Sequence, residues 1–405
     1  MPFFEQEEVQ KIRFLHFTIK KLEDKFKNDE VFTVDELNNI LDYTMLLNKN
    51  YGNINHLRIL NEMDITKEYI DPLESKPIQI RDLYYECARV LEVLGQGYER
   101  LSQKREEEDY PEDAIIAMLE SSKIYKASAY FSAAAMHQNY KGKSLLPLNL
   151  EIKSEEARLF AQSISALNEE MKGNLIFASK LYAGLSALSK RIFYLKEHDE
   201  IKKHQLRAQM HFDMGKACTL VVEVASDYSI DEKRVDDLKQ KACFYFNKAK
   251  EIWEEMINTI PNLKEEEIHS IKDNITVSDD IFKEIKIEDL PYEKIKKIQD
   301  PEPVIIIPEN LAPFVPKATI YLSKIVPKDL NITRFKKFKN KRIEKKTSYS
   351  EQEKLESQKF GISRTILELK KMKKEGEIGL ENFTELYEKY KNKLNEIEIK
   401  IKNLK

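Results

Sequence analysis

The chain has 405 residues, of which 41% are hydrophobic and 34% charged, with a formal net charge of -3. That balance supports a folded core under a large solvated surface and excludes a disordered, single-sign chain. Ten glycines and thirteen prolines are too few for an all-β protein with many tight turns, and no apolar run of about 18 residues is present to span a membrane.

Residues 5–50 predict two helices. Val9, Ile12, Leu15, Ile19 and Leu22 recur at helical spacing in the first. Thr33 and Glu36 form a capping box that opens the second, which carries Leu37, Ile40, Leu41 and Leu47. The stretch around Gly52 reads as a loop. A helix over 79–105 places Leu83, Cys87, Val90, Leu91 and Leu94 on one face. The next, over 112–138, is rich in small residues such as Ala127, Ser128, Ala129 and Ala133, which allow neighbouring helices to approach closely. Pro147 reads as a break before a helix over 154–171, and Gly173 as a turn. Residues 175–195 carry Leu181, Leu185, Leu188, Ile192 and Leu195 in a helical stripe. Amphipathic helices over 201–226 and 231–259 follow. The short connections predict antiparallel hairpins packed side by side.

The character changes after Pro261. Segment 274–330 loses helical period, and PEPVIIIPENLAPFVPKA cannot be helical because its prolines lack amide donors. It reads as an extended strap along the helical body, with Val304–Ile307 as a short strand or buried strip. Residues 334–346 hold eight Lys/Arg and one acid, with Phe335 and Phe338 interleaved. Three readings of Arg334, Lys336, Lys337, Lys339, Lys341 and Arg342 stay open: a solvated linker first, an anionic-lipid contact second, a nucleic-acid contact last. Residues 351–404 predict a Lys/Glu-rich helical pair broken near Gly376 and Gly379. Phe383, Leu386, Tyr390, Leu394, Ile397 and Ile401 form its seam, that of a coiled coil or a helical hairpin. The expected fold is all-α: an elongated solenoid of tetratricopeptide-like hairpins over 1–330, a basic linker over 331–350 and a helical pair over 351–405.

Chemistry is sparse. Cys87, Cys218 and Cys243 are dispersed and odd in number, which fits free thiols in a reducing compartment. His204, His211 and Cys218 share a helix face, but seven-residue steps of about 10.5 Å are too long for one metal ion to bridge. Cys87 lies on an apolar stripe and reads as a structural thiol. Gly95 and Gly97 follow a helical pattern, so they form no phosphate loop. No HExxH, GxSxG or calcium-loop pattern occurs. A signal peptide, a prenylation cysteine and a myristoylation glycine are not expected. The reading is a non-enzymatic, cofactor-free scaffold in the cytoplasm.

Five segments resemble the Bro domain family. YYECARVLEVLGQGYERL resembles one of its helices and EDAIIAMLESSKIYKASAYFSAAAMH the helix after it. ARLFAQSISALNEEMKGNLIFASKLYAGLSAL resembles the next segment, with Ala161-Gln162 and Ala178 to Leu181 in register. SDDIFKEIKIEDLPYEKI and PENLAPFVPKATIYLSKIVP resemble the later strap. The pieces keep the family's order over about residues 75–330. The resemblance implies a boomerang-shaped solenoid acting as an adaptor, peripheral at endosomes, that binds the C-terminal helix of an ESCRT-III subunit through an exposed hydrophobic patch. Carried over, Phe177 and Leu181 are the patch residues at i and i+4, sharing an outward face. Leu167, or alternatively Ile164, is the contribution of the preceding helix. The family's charged pair is not reproduced. Ile115 and Leu119 occupy its places, and Lys123 and Lys126 are the nearby candidates for polar contacts. Phe282 stands where the family has a tyrosine. Two alternatives stay open: a generic tetratricopeptide-like scaffold, although no 34-residue period is found, and a membrane or RNA binder led by the basic tail. The oligomeric state is open.

Overall fold

The computed structural model describes residues 6–27, 33–49, 60–61, 68–196, 199–261, 263–285, 292–308, 331–335 and 380–403. Helices α1 (Gln6–Lys27) and α2 (Val34–Lys49) match the expected opening pair. The capping box forms: the Thr33 N–H donates to Glu36 Oε2 at 2.9 Å and the Glu36 N–H to Thr33 Oγ1 at 3.3 Å. Leu15, Ile19, Leu37, Ile40 and Leu47 are buried in the main core.

A hairpin of β1 (Glu68–Ile70) and β2 (Pro77–Gln79), paired antiparallel with Tyr69 opposite Ile78, comes next. Three-residue strands are too short to show an alternating pattern, so the sequence reading passed over them. Six long helices follow: α3 (Leu83–Glu107), α4 (Pro111–Ala134), α5 (Pro147–Met171), α6 (Leu175–Leu195), α7 (Glu200–Glu223) and α8 (Glu232–Thr259). Each packs on the next, giving sequential hairpins. Asp82 caps α3, its carboxylate accepting the N–H groups of Tyr84 and Tyr85. Pro147 is corrected from a break to a start. It opens α5 at the first helical positions, where a missing N–H costs nothing.

Helix α4 explains the run of small residues. It is packed by α3 on one side and α5 on the other. Its buried serines satisfy themselves on neighbouring carbonyls: Ser121 on Gly95 at 2.9 Å, Ser128 on Ala88 at 2.7 Å and Ser132 on Leu145 at 2.5 Å. Small side chains let the backbones approach, and each hydroxyl avoids the cost of an unpaired buried donor.

The region after Pro261 needs a correction. Residues expected to lose helical order begin with α9 (Glu265–Ile285), followed by the short α10 (Tyr292–Ile295). Helix α9 lies on α8. It buries Ile271, and Ile275 packs against the same small core, a helical stripe that the later prolines obscured. The extended strap holds as β3 (Val304–Pro308), paired parallel with β4 (Asn331–Phe335). The two small sheets correct the all-α expectation to mostly helical. Helix α11 (Leu380–Asn403) is the second half of the expected C-terminal pair. Its first half, the strap beyond Pro308 and most of the basic linker lie outside the described residues.

The strap is held by side chains of the helical body. Val304, Ile305 and Ile306 are buried, and β3 touches α4, α5 and α6. Gln162 on α5 behaves like a neighbouring strand. Its Nε2 donates to Val304 O at 2.6 Å and Leu181 O at 3.0 Å, and its Oε1 accepts the Ile306 N–H at 2.8 Å. Arg158 Nε donates to Ile306 O at 3.0 Å. Gly184 on α6 leaves room for this contact. A Cβ there would collide with the Val304 carbonyl and the Gln162 carboxamide.

Candidate partner-binding surface

Helix α5 is the element on which a docking surface can be built. At 3.6 residues per turn, Phe160, Ile164, Leu167 and Met171 fall within an arc of about 60° and extend over roughly 16 Å. Phe160 is 37% exposed, Leu167 49% and Met171 65%, whereas Ile164 is buried beneath them. Apolar side chains left open two turns and then one turn apart form a stripe matched to an amphipathic helix, because such a guest repeats its anchors at intervals of one and two turns.

Charged groups frame the stripe. Two turns before Phe160, Lys153 pairs with Glu92 at 2.5 Å and lies 5.5 Å from the centre of the Tyr125 ring. Tyr125 donates its hydroxyl to Glu99 at 2.9 Å. Burial pushes the Glu99 carboxyl up to about 7, against the opposing pull of Tyr125 and Lys153. At the other end, Lys172 reaches Glu112 at 3.3 Å and Glu169 at 3.5 Å, tying the α5–α6 turn to the start of α4.

The opposite side of α5 is polar but sealed. Glu155 is fully buried, with Arg158 at 3.1 Å, Arg191 at 3.4 Å and Lys126 at 4.0 Å. Burial works against its carboxylate, but Arg158, Arg191 and Lys126 outweigh burial and hold the pKa below the ordinary value. Nearby Glu151 is raised to about 7 by burial. Removing one partner from such a network leaves an uncompensated buried charge, which is strongly destabilising.

These placements revise the residues expected from the sequence. Leu181 is wholly buried and belongs to the main core. It cannot share an outward face with Phe177, because α6 is enclosed by α5, α7 and the strap. Phe177 is half-buried at the rim of that core. Ile164 is the floor of the stripe and Leu167 its centre. Lys126 is turned into the Glu155 network, away from the stripe, and its pKa is lowered by burial. Lys123 pairs with Glu120 on its own helix. Ile115 and Leu119 are buried. Phe282 is 40% exposed near the end of α9. Of the basic candidates, only Arg334 falls on a described element, β4. Lys336, Lys337, Lys339, Lys341 and Arg342 lie outside the described residues. Phe160 and Met171 were missed, although their spacing from Ile164 and Leu167 was readable.

The residues tested for chemistry are structural in their surroundings. Cys87 and Cys218 are buried, and burial raises both thiols well above the ordinary range. His211 stacks on Tyr245 with centroids 5.8 Å apart, and burial lowers it to about 4. His204 bonds the Glu200 carbonyl at 2.8 Å. Among the described residues, no group of three or more His, Cys, Asp or Glu is arranged to hold a metal ion. A depression of about 240 Å³ beside Pro77, Arg81 and Tyr140 is smaller than the roughly 300–1,000 Å³ of small-molecule pockets. Among the described residues, no helix is long and apolar enough to cross a membrane.

No protein-family model and no curated protein matches the chain. Solved structures do match, Bro1 domains among them. A Bro1 domain described in terms of endosomal targeting is 13% identical, with a TM-score of 0.46, over 73% of this chain and 81% of that one. The ALIX Bro1 domain in complex with CHMP4C is 11% identical, with a TM-score of 0.43, over 77% and 87%. ALIX in complex with a SIVmac239 late-domain peptide is 12% identical, with a TM-score of 0.44, over 88% of this chain and 50% of that one.

Proposed function

We propose that this chain is a non-enzymatic adaptor of the Bro type that takes the C-terminal helix of an ESCRT-III subunit along α5, in the cytoplasm at the surface of endosomes. One observation carries the reading: Phe160, Leu167 and Met171 stand open on one face of α5 at spacings of 7 and 4, with Ile164 buried between the first two, on a helix otherwise locked into the body. A guest helix laying its apolar anchors on this stripe buries them without any rearrangement of the host. Half-buried Phe177 at the start of α6, and Lys123 on α4, which Glu120 already pairs, are further contacts in this reading. The ordered five-segment resemblance names the guest class. Arg334, Lys336, Lys337, Lys339, Lys341 and Arg342 add a contact to anionic lipid in this reading.

The test is a fluorescence anisotropy titration of labelled ESCRT-III C-terminal helices, CHMP4C first, with the full chain. Leu167→Asp and Met171→Asp each place a charge in the stripe while changing an exposed position. Each weakens binding at least tenfold, the scale of a central interface residue worth about 1.4 kcal/mol or more. Binding by no ESCRT-III helix, or binding unchanged by both substitutions, would overturn the proposal.

A further inference from the structure

The C-terminal helix α11 meets the body at the α3–α4 turn. Lys389 Nζ bonds Asp109 Oδ2 at 3.2 Å, across 280 positions of sequence. Ile397, further along α11, is buried, so the helix lies against the rest of the chain.

The turn that receives Lys389 is strongly acidic. Glu106, Glu107, Glu108, Asp109, Glu112 and Asp113 are all exposed. Three cations stand against these carboxylates. Lys104 and Arg105 both pair with Glu108, and Lys172 reaches Glu112 from the α5–α6 turn, bringing a further carboxylate, Glu169, beside it. The negative excess is one of formal charge and does not depend on which pairs form. Helix α11 supplies the complement. It has five lysines and five glutamates, but they are segregated. Glu381, Glu385 and Glu388 precede, and Glu396 and Glu398 follow, a central stretch over 389–393 with three lysines and no acid. Lys389, Lys391 and Lys393 are exposed. Lys389 and Lys393 are one turn apart and share a side of the helix.

An exposed ion pair alone contributes little. Two things add to it here. The whole turn attracts the lysine cluster, and α11 is tethered to the body, so the contact forms at a high effective concentration. Charges this exposed are screened beyond about 8 Å at physiological salt, which makes the attachment reversible.

We infer that the acidic α3–α4 turn is the docking surface for this chain's own α11, an electrostatic clasp that holds the C-terminal helix on the body and opens as ionic strength rises. The clasp closes whether or not a guest occupies α5. The experiment is double electron–electron resonance on the full chain, with spin labels on exposed Gln103→Cys in α3 and exposed Asn395→Cys in α11, in a Cys243→Ser background. At about 50 mM salt, where screening reaches beyond 10 Å, one short distance is expected, and at about 1 M it is lost. Lys389→Glu abolishes the short distance at low salt. Asp109→Gly does the same without straining the turn, because Asp109 has a φ of 64°, in the left-handed region that glycine prefers. The proposal is overturned if the short distance is absent from the full chain at low salt, or if it survives both variants and high salt. It is also overturned if the short distance arises on mixing singly labelled chains, which would make the contact one between copies.

Discussion

The strap offers the most quantitative prediction. Gln162→Leu keeps a side chain of similar bulk on α5 but removes the carboxamide that bonds Val304 O, Ile306 N and Leu181 O at 2.6, 2.8 and 3.0 Å. Each neutral hydrogen bond contributes about 1 kcal/mol net, and a buried backbone group left unpaired costs about 1–3 kcal/mol. The Val304 carbonyl and the Ile306 amide both lose their partner, so the strap should be weakened by roughly 3 kcal/mol. Burial of Val304, Ile305 and Ile306 remains, so the strap stays docked but opens more often. At about 1.4 kcal/mol per factor of ten, the Ile306 amide should exchange with solvent about 100-fold faster. Native-state hydrogen exchange reads this residue by residue. Amides of α1 and α2, which pack on each other and on α3, should keep their rates. Unchanged protection at Ile306 would refute the clasp, and uniform acceleration across the body would show that Gln162 supports global packing instead.

Other expectations follow from the same geometry. Gly184→Ala drives a methyl into the Val304 carbonyl and should cost about 1–3 kcal/mol in urea unfolding, with the loss centred on the strap. Asp213 is fully buried, with Gln209 Nε2 bonded to its carboxylate at 2.8 Å, and burial pushes its pKa up to about 8 from 3.8 despite that bond. The folded state therefore holds a proton that the unfolded chain has lost. The stability from this group is fully present below pH 4 and disappears as pH rises toward 8. Asp213→Asn lacks that loss, so its advantage should grow by up to about 1.4 kcal/mol per pH unit across this window. Parallel stability profiles for the two proteins would contradict the assignment.

Helix positions were legible because α1 to α8 obey local rules: a capping box at Thr33, an apolar stripe through Leu181 and Leu188, and small residues along α4 where helices meet. What failed was non-local. Leu181 and Phe177 look alike in a helical repeat. Helices α5 and α7 and, more than 120 residues later, Val304 of the strap together enclose the helix that bears Leu181. Pro147 starts rather than breaks a helix because its position relative to the first turn, not its presence, decides the outcome. Helix α9 kept its Ile271 and Ile275 stripe, but the prolines beyond residue 290 drew attention away from it. On α5 the error was one of selection. Ile164 and Leu167 were chosen without their partners Phe160 and Met171, and the exposure that distinguishes floor from rim depends on how α4 and α6 pack.

The central claim is that the exposed side of α5 is where a guest helix lies, and site-specific photocrosslinking tests it most directly. A photoreactive residue in place of Leu167 or Met171 in the full chain, mixed with a purified ESCRT-III subunit, should capture the C-terminal helix of that subunit. The same residue in place of Tyr228, exposed in the turn after α7, should capture nothing. Capture from Tyr228 with none from Leu167 and Met171 would place the partner elsewhere and contradict the account.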